Sequence, residues 1–372
     1  MIDYQTVLNR SALSLKPSGI RRFFDIANEM DNVIRSLEDG KTWYSPNRGF
    51  LELREAIAHF VKLHYHLDYD PKSEILVTVG GSEAIDLSLR CLIAPGDEVL
   101  IPEPSFVCYK PLAIMAGGIP VVVETKAEDD FRLTPQELLE KITPRTKLLI
   151  LPYPNNPTGA VMHRGDLEAI AKVVSERNLM VLSDEIYSEL TYGDSRHVSF
   201  ASIEGMRERT VTINGFSKTF AMTGWRLGYA CAPQPVVRQM TKLHQYGIMS
   251  APTTAQYAAV EALKNGENDI MEMREQYDMR RRLIVSGFRS MGLDCFEPKG
   301  AFYVFPCIRS TGLSSEKFCE ELIHSERVAV VPGNAFGDCG EGFVRVSYSY
   351  SLKHITEALA RIEHFVQKRK AR

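Results

Sequence analysis

Residues 147–159 read KLLILPYPNNPTG, an apolar run followed directly by a cluster of turn-forming residues. A short, near-continuous apolar run is typical of a strand that is buried on both faces of a parallel sheet. By composition alone Asn155–Gly159 is a turn, because Asn, Pro and Gly are the usual turn formers. Ligands of open α/β sheets bind beyond the carboxyl ends of the strands, so polar residues at this place are also candidates for a binding site.

The same pattern recurs on both sides of this stretch. From residue 75 to residue 232, short apolar runs alternate with amphipathic segments such as Ser82–Ile93, Pro135–Lys141 and Asp166–Glu176, in the manner of β-α units. This alternation predicts an α/β fold with a large domain, in which helices flank a mostly parallel seven-stranded sheet. The predicted strands are Ile75–Val79, Val99–Ile101, Val121–Glu124, Lys147–Leu151, Met180–Leu182, Thr210–Ile213 and Leu227–Ala230.

Beyond Ala255 the alternation stops. A helix there leads into a long charged stretch, Met271–Met291, which is predicted to bridge to a smaller α+β domain. We predict an amino-terminal arm or part of the small domain at residues 1–34, a large domain at 35–265 that begins with a helix over Leu51–Leu63, and a small domain at 266–372. The predicted strands of the small domain are Ala301–Phe305, Val328–Val331 and Phe343–Tyr348, and its predicted helices are Glu316–His324 and Leu352–Gln367.

Composition narrows the class of protein. A chain of 372 residues with 44% hydrophobic residues is long enough to bury a substantial core. Its 44 basic and 47 acidic side chains give a net charge of −3, so no global field favours nucleic acid or an anionic membrane. A small-molecule partner fits this balance better.

The cysteines and the amino terminus bear on the compartment. Seven scattered cysteines without a C-x-x-C pair argue against a disulfide framework or a zinc site, and indicate a reducing environment. The first residues show no basic region followed by an apolar stretch, and no apolar run approaches the ~20 residues that span a bilayer. We therefore expect a cytoplasmic protein with no bound metal.

Four of the seven predicted strands are followed at once by polar or glycine-rich clusters, which are Gly80–Ala84, Pro152–Gly159, Ser183–Tyr187 and Asn214–Lys218. Each cluster alone has an ordinary interpretation. Gly80–Ser82 at the start of a helix is equally a phosphate cradle or a tight turn with Ser82 as the helix cap. Asp184 either needs a cationic partner at the edge of the core or caps a helix. Lys218 lies in an apolar stretch, where a partly buried lysine suggests chemistry, although most lysines only extend to solvent.

Taken together, these clusters resemble the class I and II aminotransferases, which are fold-type-I pyridoxal-phosphate enzymes. The residues within the motifs are similar to those of the prokaryotic aspartate/aromatic branch. The resemblance covers nearly the whole chain, and the motifs match in order and spacing. They are Trp43–Pro46, Gly80–Glu83, Pro104–Phe106, Asn156–Gly159, Asp184–Tyr187, Ser217–Phe220, Gly224–Gly228 and Arg345–Tyr348.

The resemblance implies the cofactor contacts. Lys218 would hold pyridoxal 5′-phosphate as a Schiff base and then move the proton at the substrate Cα. Asp184 would keep the pyridinium nitrogen protonated, Asn156 and Tyr187 would hydrogen-bond the phenolic oxygen, and Phe106 would stack on the ring. Lys218, Asp184 and Tyr187 are thus the expected catalytic residues.

The resemblance also implies the anion sites. The phosphate would be held around Gly81, Ser82 and Glu83 and by Arg226, whose fork suits phosphate, with Ser217 adding a hydroxyl. Tyr44 would reach the phosphate of the neighbouring subunit, which implies a homodimer. Arg345 shares one strand face with Phe343 and Ser347, and would bind the substrate α-carboxylate with the help of Asn156. Considered without the resemblance, Arg345 is more simply part of a surface salt bridge.

The chain departs from the family pattern after Ile34. Relatives usually carry a Gly-x-Gly-like turn and a Pro-Asp dipeptide before the helix that precedes the Tyr44 motif, but here Asn32–Ile34 runs directly into Arg35–Gly40. The glycine that lies against the substrate carboxylate therefore has no assignment. Our hypothesis is that a lid segment is left out of this sequence, and the alternative is a true deletion that impairs turnover.

The resemblance implies an aminotransferase that works by a ping-pong cycle on an amino acid and a 2-oxo acid, with aspartate or aromatic donors and 2-oxoglutarate as acceptor. A β-lyase on the same scaffold would use the same lysine, aspartate and arginines. A transcription regulator or other non-catalytic sensor with an aminotransferase-like domain is a third possibility. Only about thirty residues precede the body of the chain, which is too few for a DNA-binding winged helix.

Overall fold

The computed structural model describes residues 36–370, which build a seven-stranded sheet covered by helices on both faces. The strands lie in the order β1-β7-β6-β5-β4-β2-β3, so each chain crossover places a helix on one face or the other. The strands are β1 (Ile75–Thr78), β2 (Glu98–Glu103), β3 (Ile119–Glu124), β4 (Thr146–Leu151), β5 (Met180–Asp184), β6 (Thr210–Gly215) and β7 (Gly228–Cys231).

The predicted α/β fold and all seven predicted strands are confirmed. Strand β7 runs antiparallel to both of its neighbours, and the other pairs are parallel, so the sheet is mostly parallel. Strands β2, β5 and β6 extend past their predicted apolar ends, because the ladder continues through polar residues. Glu103 pairs with Glu124. Asp184 pairs with Ile213, and Gly215 pairs with Gly228.

The helices that amphipathic patterns predict are present. In the helix Arg164–Glu176, the predicted apolar residues Leu167, Ile170, Ala171 and Val174 are all buried. The helices are α1 (Leu51–Tyr65), α2 (Gly80–Leu92), α3 (Tyr109–Met115), α4 (Pro135–Lys141), α5 (Arg164–Glu176), α6 (Phe216–Thr219), α7 (Gln234–Gly247), α8 (Thr253–Asn265), α9 (Glu267–Ser290), α10 (Ser315–Glu326) and α11 (Leu352–Lys370).

Both faces of the large sheet are buried. On β4, Leu148 and Ile150 pack with helices α2, α3 and α7, whereas Leu149 and Leu151 pack on the opposite side with helix α5. Alternate residues of a strand point to opposite faces, so a continuous apolar run is what a doubly covered strand requires.

A second, three-stranded antiparallel sheet follows helix α9 in the chain. Its strands β8 (Tyr303–Val304), β9 (Val331–Pro332) and β10 (Val344–Ser347) lie in the order β8-β10-β9. A hydrophobic cluster joins this sheet to helices α9, α10 and α11. The proposed domain limits stay a prediction. The predicted arm at residues 1–34 and the junction after Ile34 lie outside the described residues.

The start of helix α2 is set by a close approach of two backbone segments. A Cβ atom on Gly228 would lie 2.6 Å from both the carbonyl carbon of Gly80 and the amide nitrogen of Gly81. Only glycine fits there, since the contact is with backbone that cannot move aside. Gly80 itself has φ +75°, in the left-handed region that favours glycine.

Among the described residues, no helix is both long and apolar enough to cross a membrane.

Candidate active site

The polar clusters predicted to follow the strands do meet at one edge of the large sheet. Strands β1, β4, β5 and β6 all run in the same direction, so their carboxyl ends lie side by side. Asp184 is the last residue of β5, and Lys218 lies in the single-turn helix α6 that follows β6. Asn156 follows β4, and Gly80 opens the helix after β1. This edge is where open α/β sheets bind ligands.

The amino terminus of helix α2 is open toward this edge. The helix begins at Gly80, after an N-cap residue, Val79, that makes no side-chain cap hydrogen bond. Its first-turn amides carry the positive end of the helix dipole and attract anions. Arg226 adds a charge, because one Nη atom lies only 2.6 Å from the place where a Cβ on Gly80 would be. The pattern fits a bound phosphate, and it corrects the idea that Ser82 is a helix cap.

The carboxylate of Glu83 is turned away from this anion site. One of its oxygens accepts a hydrogen bond from the Val79 amide, and the other lies 2.6 Å from Nδ1 of His244. His244 is fully buried on helix α7. The contribution of Glu83 to a phosphate site is therefore limited to its backbone amide. His244 was missed at the sequence level, since nothing in its local sequence indicates a buried partner.

Lys218 has the environment of a reactive amine. Its Nζ atom lies 5.9 Å from the ring centre of Tyr187 and 5.4 Å from that of Phe302. Burial, together with the positive charges of Arg226 and Arg345, lowers the pKa of Lys218 to about 8. About a tenth of such an amine is neutral at pH 7, far more than for an ordinary lysine, and the neutral form is the Schiff-base nucleophile.

Asp184 is a buried carboxylate with a phenolic partner. The Tyr109 hydroxyl donates a hydrogen bond of 2.7 Å to Oδ2, and the Ile186 amide donates one to Oδ1. Burial raises the pKa of Asp184 to about 6, although the hydrogen bond from Tyr109 opposes this rise. A buried ionised carboxylate needs a cation, and a protonated pyridine nitrogen supplies one.

Tyr109 is a second residue that the sequence did not single out. It opens helix α3, three residues after Phe106, and the two rings meet edge to face with their centres 6.0 Å apart. Phe106, the expected stacking residue, therefore lies beside the group that holds Asp184. Its local sequence carries no signal for this role, because Asp184 is 75 residues away in the chain.

Arg345 is buried rather than part of a surface salt bridge, and only 6% of it is exposed. It donates a hydrogen bond of 2.9 Å to Oδ1 of Asn156 and pairs with no carboxylate of the described chain. Its guanidinium lies 4.5 Å from the ring centre of Tyr303 and 4.8 Å from that of Phe336. Its buried Nε has no hydrogen-bond partner among the described residues. A carboxylate ligand would satisfy this fork in bidentate fashion.

The remaining predicted site residues divide into two groups. Tyr187 and Ser217 are buried at the same edge, and the Tyr187 hydroxyl lies 3.0 Å from the hydroxyl of Tyr303. Tyr44 is not part of the cluster within one chain, because 80% of it is exposed on the surface.

The residues present fit pyridoxal phosphate. An open helix amino terminus with an arginine suits the phosphate, and a reactive amine suits the aldehyde. The buried carboxylate suits the ring nitrogen. The Nε of Arg345, which has no hydrogen-bond partner within residues 36–370, suits a substrate carboxylate.

Comparison with known proteins identifies relatives that match most of the chain. The family model described as aminotransferase class I and II matches residues 24–362. An aromatic-amino-acid aminotransferase of Thermococcus litoralis is 45% identical over 378 residues, which covers 96% of this chain and 97% of that protein. An aspartate aminotransferase of Pyrococcus abyssi is also 45% identical over 378 residues, with the same coverage. The crystal structure of an aromatic aminotransferase from Pyrococcus horikoshii superposes with a TM-score of 0.90, at 49% identity and 91% coverage of both chains.

Replacing Tyr109 by Phe tests the partnership with Asp184. The variant should push the pKa of Asp184 above about 6, since it removes the hydrogen bond that opposes burial. A carboxyl whose pKa is raised on folding costs no stability at low pH and a growing amount as the pH rises through its folded pKa. The unfolding free energy of the apoprotein should therefore fall by about 1 kcal/mol at pH 5 and by about 2 to 3 kcal/mol at pH 8, measured by denaturant titration.

The matched control is the same substitution in an Asp184→Asn background. There the effect of Tyr109→Phe should be equal at both pH values, because no carboxyl remains to titrate. An effect that depends on pH even without the carboxylate would show that Tyr109 acts through another group.

Proposed function

The chain belongs to the class I and II aminotransferases and is a pyridoxal-phosphate-dependent aminotransferase, and from this we propose the role of each site residue. The single observation that carries the assignment is the position of Lys218. Arg226 and Arg345 both lie close enough to its amine to help burial lower its pKa, and we assign these two cations to the two ends of the site. One end suits the cofactor phosphate and the other suits the carboxylate that all amino acids and 2-oxo acids share.

The proposed cofactor contacts follow from this assignment of the two arginines to the phosphate and the carboxylate. When bound, pyridoxal phosphate supplies an electron sink for the pair released at the substrate Cα. Asp184, held by Tyr109, keeps a proton on the ring nitrogen, and Asn156 and Tyr187 donate hydrogen bonds to the phenolic oxygen. The remaining contacts are Phe106 against the ring, and the amides of Gly81, Ser82 and Glu83 with Arg226 and Ser217 at the phosphate.

The substrate residues lie on the small sheet and at the end of β4. Arg345 and Asn156 bind the α-carboxylate and orient the Cα–H bond, and Lys218 moves the proton at Cα. The same residues serve both halves of a ping-pong cycle, because donor and acceptor carry the same carboxylate. Release of a keto acid then leaves the amino group on the enzyme for the second substrate.

We propose aspartate or an aromatic amino acid as the donor and 2-oxoglutarate as the acceptor. The names of the two curated relatives at 45% identity support both donor classes. The rings of Phe302, Tyr303 and Phe336, which lie around Lys218 and Arg345, support the aromatic one.

A homodimer would complete the site. Tyr44 and Trp43 are exposed by 80% and 55%, and Tyr246 and Ile248 by 89% and 46%. Hydrogen bonds from Thr253 to the Trp43 carbonyl and from Asn47 to the Met249 carbonyl join these two segments into one apolar patch. A contiguous exposed patch of this kind marks an interaction surface, and its position supports Tyr44 reaching the phosphate of the partner subunit.

Mixed dimers test the shared site. Lys218→Ala and Tyr44→Ala should each be impaired alone, because each homodimer lacks one residue at both sites. Co-refolded mixed dimers should regain one intact site in two, measured as recovered transaminase activity with sedimentation mass as the control. If dimers shown to contain one subunit of each variant recover no transaminase activity, the site is not shared between subunits.

Lys218→Ala should abolish the covalent attachment of cofactor. The wild-type protein should be yellow with pyridoxal phosphate, and borohydride should fix the label to Lys218, as mass spectrometry of peptides shows. The attachment rate should rise as the pH passes through about 8, where the Lys218 amine loses its proton. Lys264→Ala, at an exposed lysine, is the matched control. A wild-type protein that gains no absorbance with added cofactor would overturn the proposed function.

Arg345→Ala should raise the KM of every donor alike, roughly 10- to 100-fold, as the loss of hydrogen bonds to a charged group implies. Half-reaction spectra with aspartate, phenylalanine and alanine would measure this, and Arg345→Lys should recover part of the loss. A selective effect on one donor would place Arg345 in the side-chain pocket instead. Repeated pyruvate release from a cysteine S-conjugate without an added 2-oxo acid would indicate a β-lyase.

A further inference from the structure

Tyr303 contacts two of the proposed site residues, Arg345 and Tyr187. Its ring centre lies 4.5 Å from the Arg345 guanidinium, and its hydroxyl lies 3.0 Å from the hydroxyl of Tyr187. Tyr303 belongs to the small sheet, whereas Tyr187 follows strand β5 of the large sheet. Both tyrosines are buried, with 3% and 5% of their surface exposed. A hydrogen bond between the two sheets therefore lies inside the site, away from solvent.

The register of the small sheet places Tyr303 against Arg345. Tyr303 pairs directly with Ser347 across the antiparallel strands β8 and β10. Residues two apart on a strand share a face, so Arg345 is the diagonal neighbour of Tyr303 on that face. The ring can then lie along the guanidinium, a geometry in which arginine stacks favourably on an aromatic face.

The hydroxyl pair has a preferred direction once Tyr187 serves the cofactor. A phenol has one proton to donate. If Tyr187 gives that proton to the phenolic oxygen of the cofactor, its own oxygen must accept from Tyr303. The donor order is then Tyr303 to Tyr187 to the cofactor.

We propose that Tyr303 is a positioning residue that couples the carboxylate site at Arg345 to the cofactor contact of Tyr187. The inference rests on the proposed function. The ring of Tyr303 orients the guanidinium, and its hydroxyl directs the proton of Tyr187 toward the phenolic oxygen. Burial raises the pKa of Tyr187, and the positive charge of Arg345 opposes that rise, so the two sites already influence each other electrostatically. A carboxylate bound at Arg345 would neutralise that charge and be sensed at Tyr187.

The two functions of Tyr303 can be separated by substitution. Tyr303→Phe keeps the ring beside Arg345 and removes the hydroxyl, whereas Tyr303→Leu removes both. When the nitrogen that links the cofactor to Lys218 is protonated, it donates a hydrogen bond to the phenolic oxygen of the cofactor. When that nitrogen has lost its proton, the phenolic oxygen depends most on donors from the protein, such as Tyr187. Loss of the directed hydrogen bond should therefore raise the apparent pKa of the linkage.

The experiment titrates the visible absorbance of the cofactor-loaded protein with pH and then with maleate, a carboxylate that does not react. Tyr303→Phe should raise the apparent pKa of the linkage by roughly 0.4 to 1 unit, the shift that one ordinary hydrogen bond produces. Its maleate dissociation constant should stay within about twofold of wild type. Tyr303→Leu should raise the linkage pKa similarly and weaken maleate about 5-fold or more, because the guanidinium loses its stacking ring.

Tyr277→Phe is the matched control, since its ring packs on Phe302 outside the hydroxyl pair, and it should change neither quantity. An unchanged linkage pKa in a folded, yellow Tyr303→Phe protein would overturn the inference. So would a loss of maleate affinity in Tyr303→Phe equal to that in Tyr303→Leu. A protein without a visible linkage, even as wild type, would instead overturn the proposed function.

Discussion

The contact between Gly228 and the Gly80–Gly81 backbone is the constraint on which the rest of the site depends. It places the first turn of helix α2 directly against the start of strand β7, with no room for a side chain between them. Strand β7 in turn pairs with β6, which ends just before Lys218. The anion-binding end of the helix and the reactive lysine are thereby held in one rigid unit, as precise positioning of a phosphate and an aldehyde requires.

The charged groups of the site shift the pKa values of their neighbours. Arg226 lies beside Gly80 at the start of helix α2, whereas Arg345 lies on the small sheet, and both help to lower the pKa of Lys218. Asp184 lies in the same buried region, where burial raises its pKa to about 6. The Tyr109 hydrogen bond offsets part of that effect. A cationic ring nitrogen would offset the rest, which explains why a carboxylate that is costly in the empty fold is retained there.

The site also depends on contact between two separate sheets. Asn156 and Tyr187 belong to the large sheet side, whereas Arg345 and Tyr303 lie on the small sheet. The hydrogen bonds Arg345 to Asn156 and Tyr187 to Tyr303 cross between them. The proposed substrate and cofactor contacts are therefore adjacent in space although their residues are far apart in the chain. A change in the relative position of the two sheets would act on both.

The seven strands and the polar clusters at their carboxyl ends could be predicted from the order of residues alone, because apolar periodicity and turn chemistry are local properties. Lys218, Asp184 and Arg345 could be singled out only because the motifs around them together resemble a known family, since each residue alone has an ordinary interpretation. Strand ends were less certain, since buried backbone continues to pair through polar residues such as Asp184. The partners of the site residues were decided only by the tertiary structure. Tyr109 and Asp184 are 75 residues apart, Tyr187 and Tyr303 are 116 apart, and Glu83 and His244 are 161 apart. Such contacts depend on strand order and sheet packing, which no local pattern encodes.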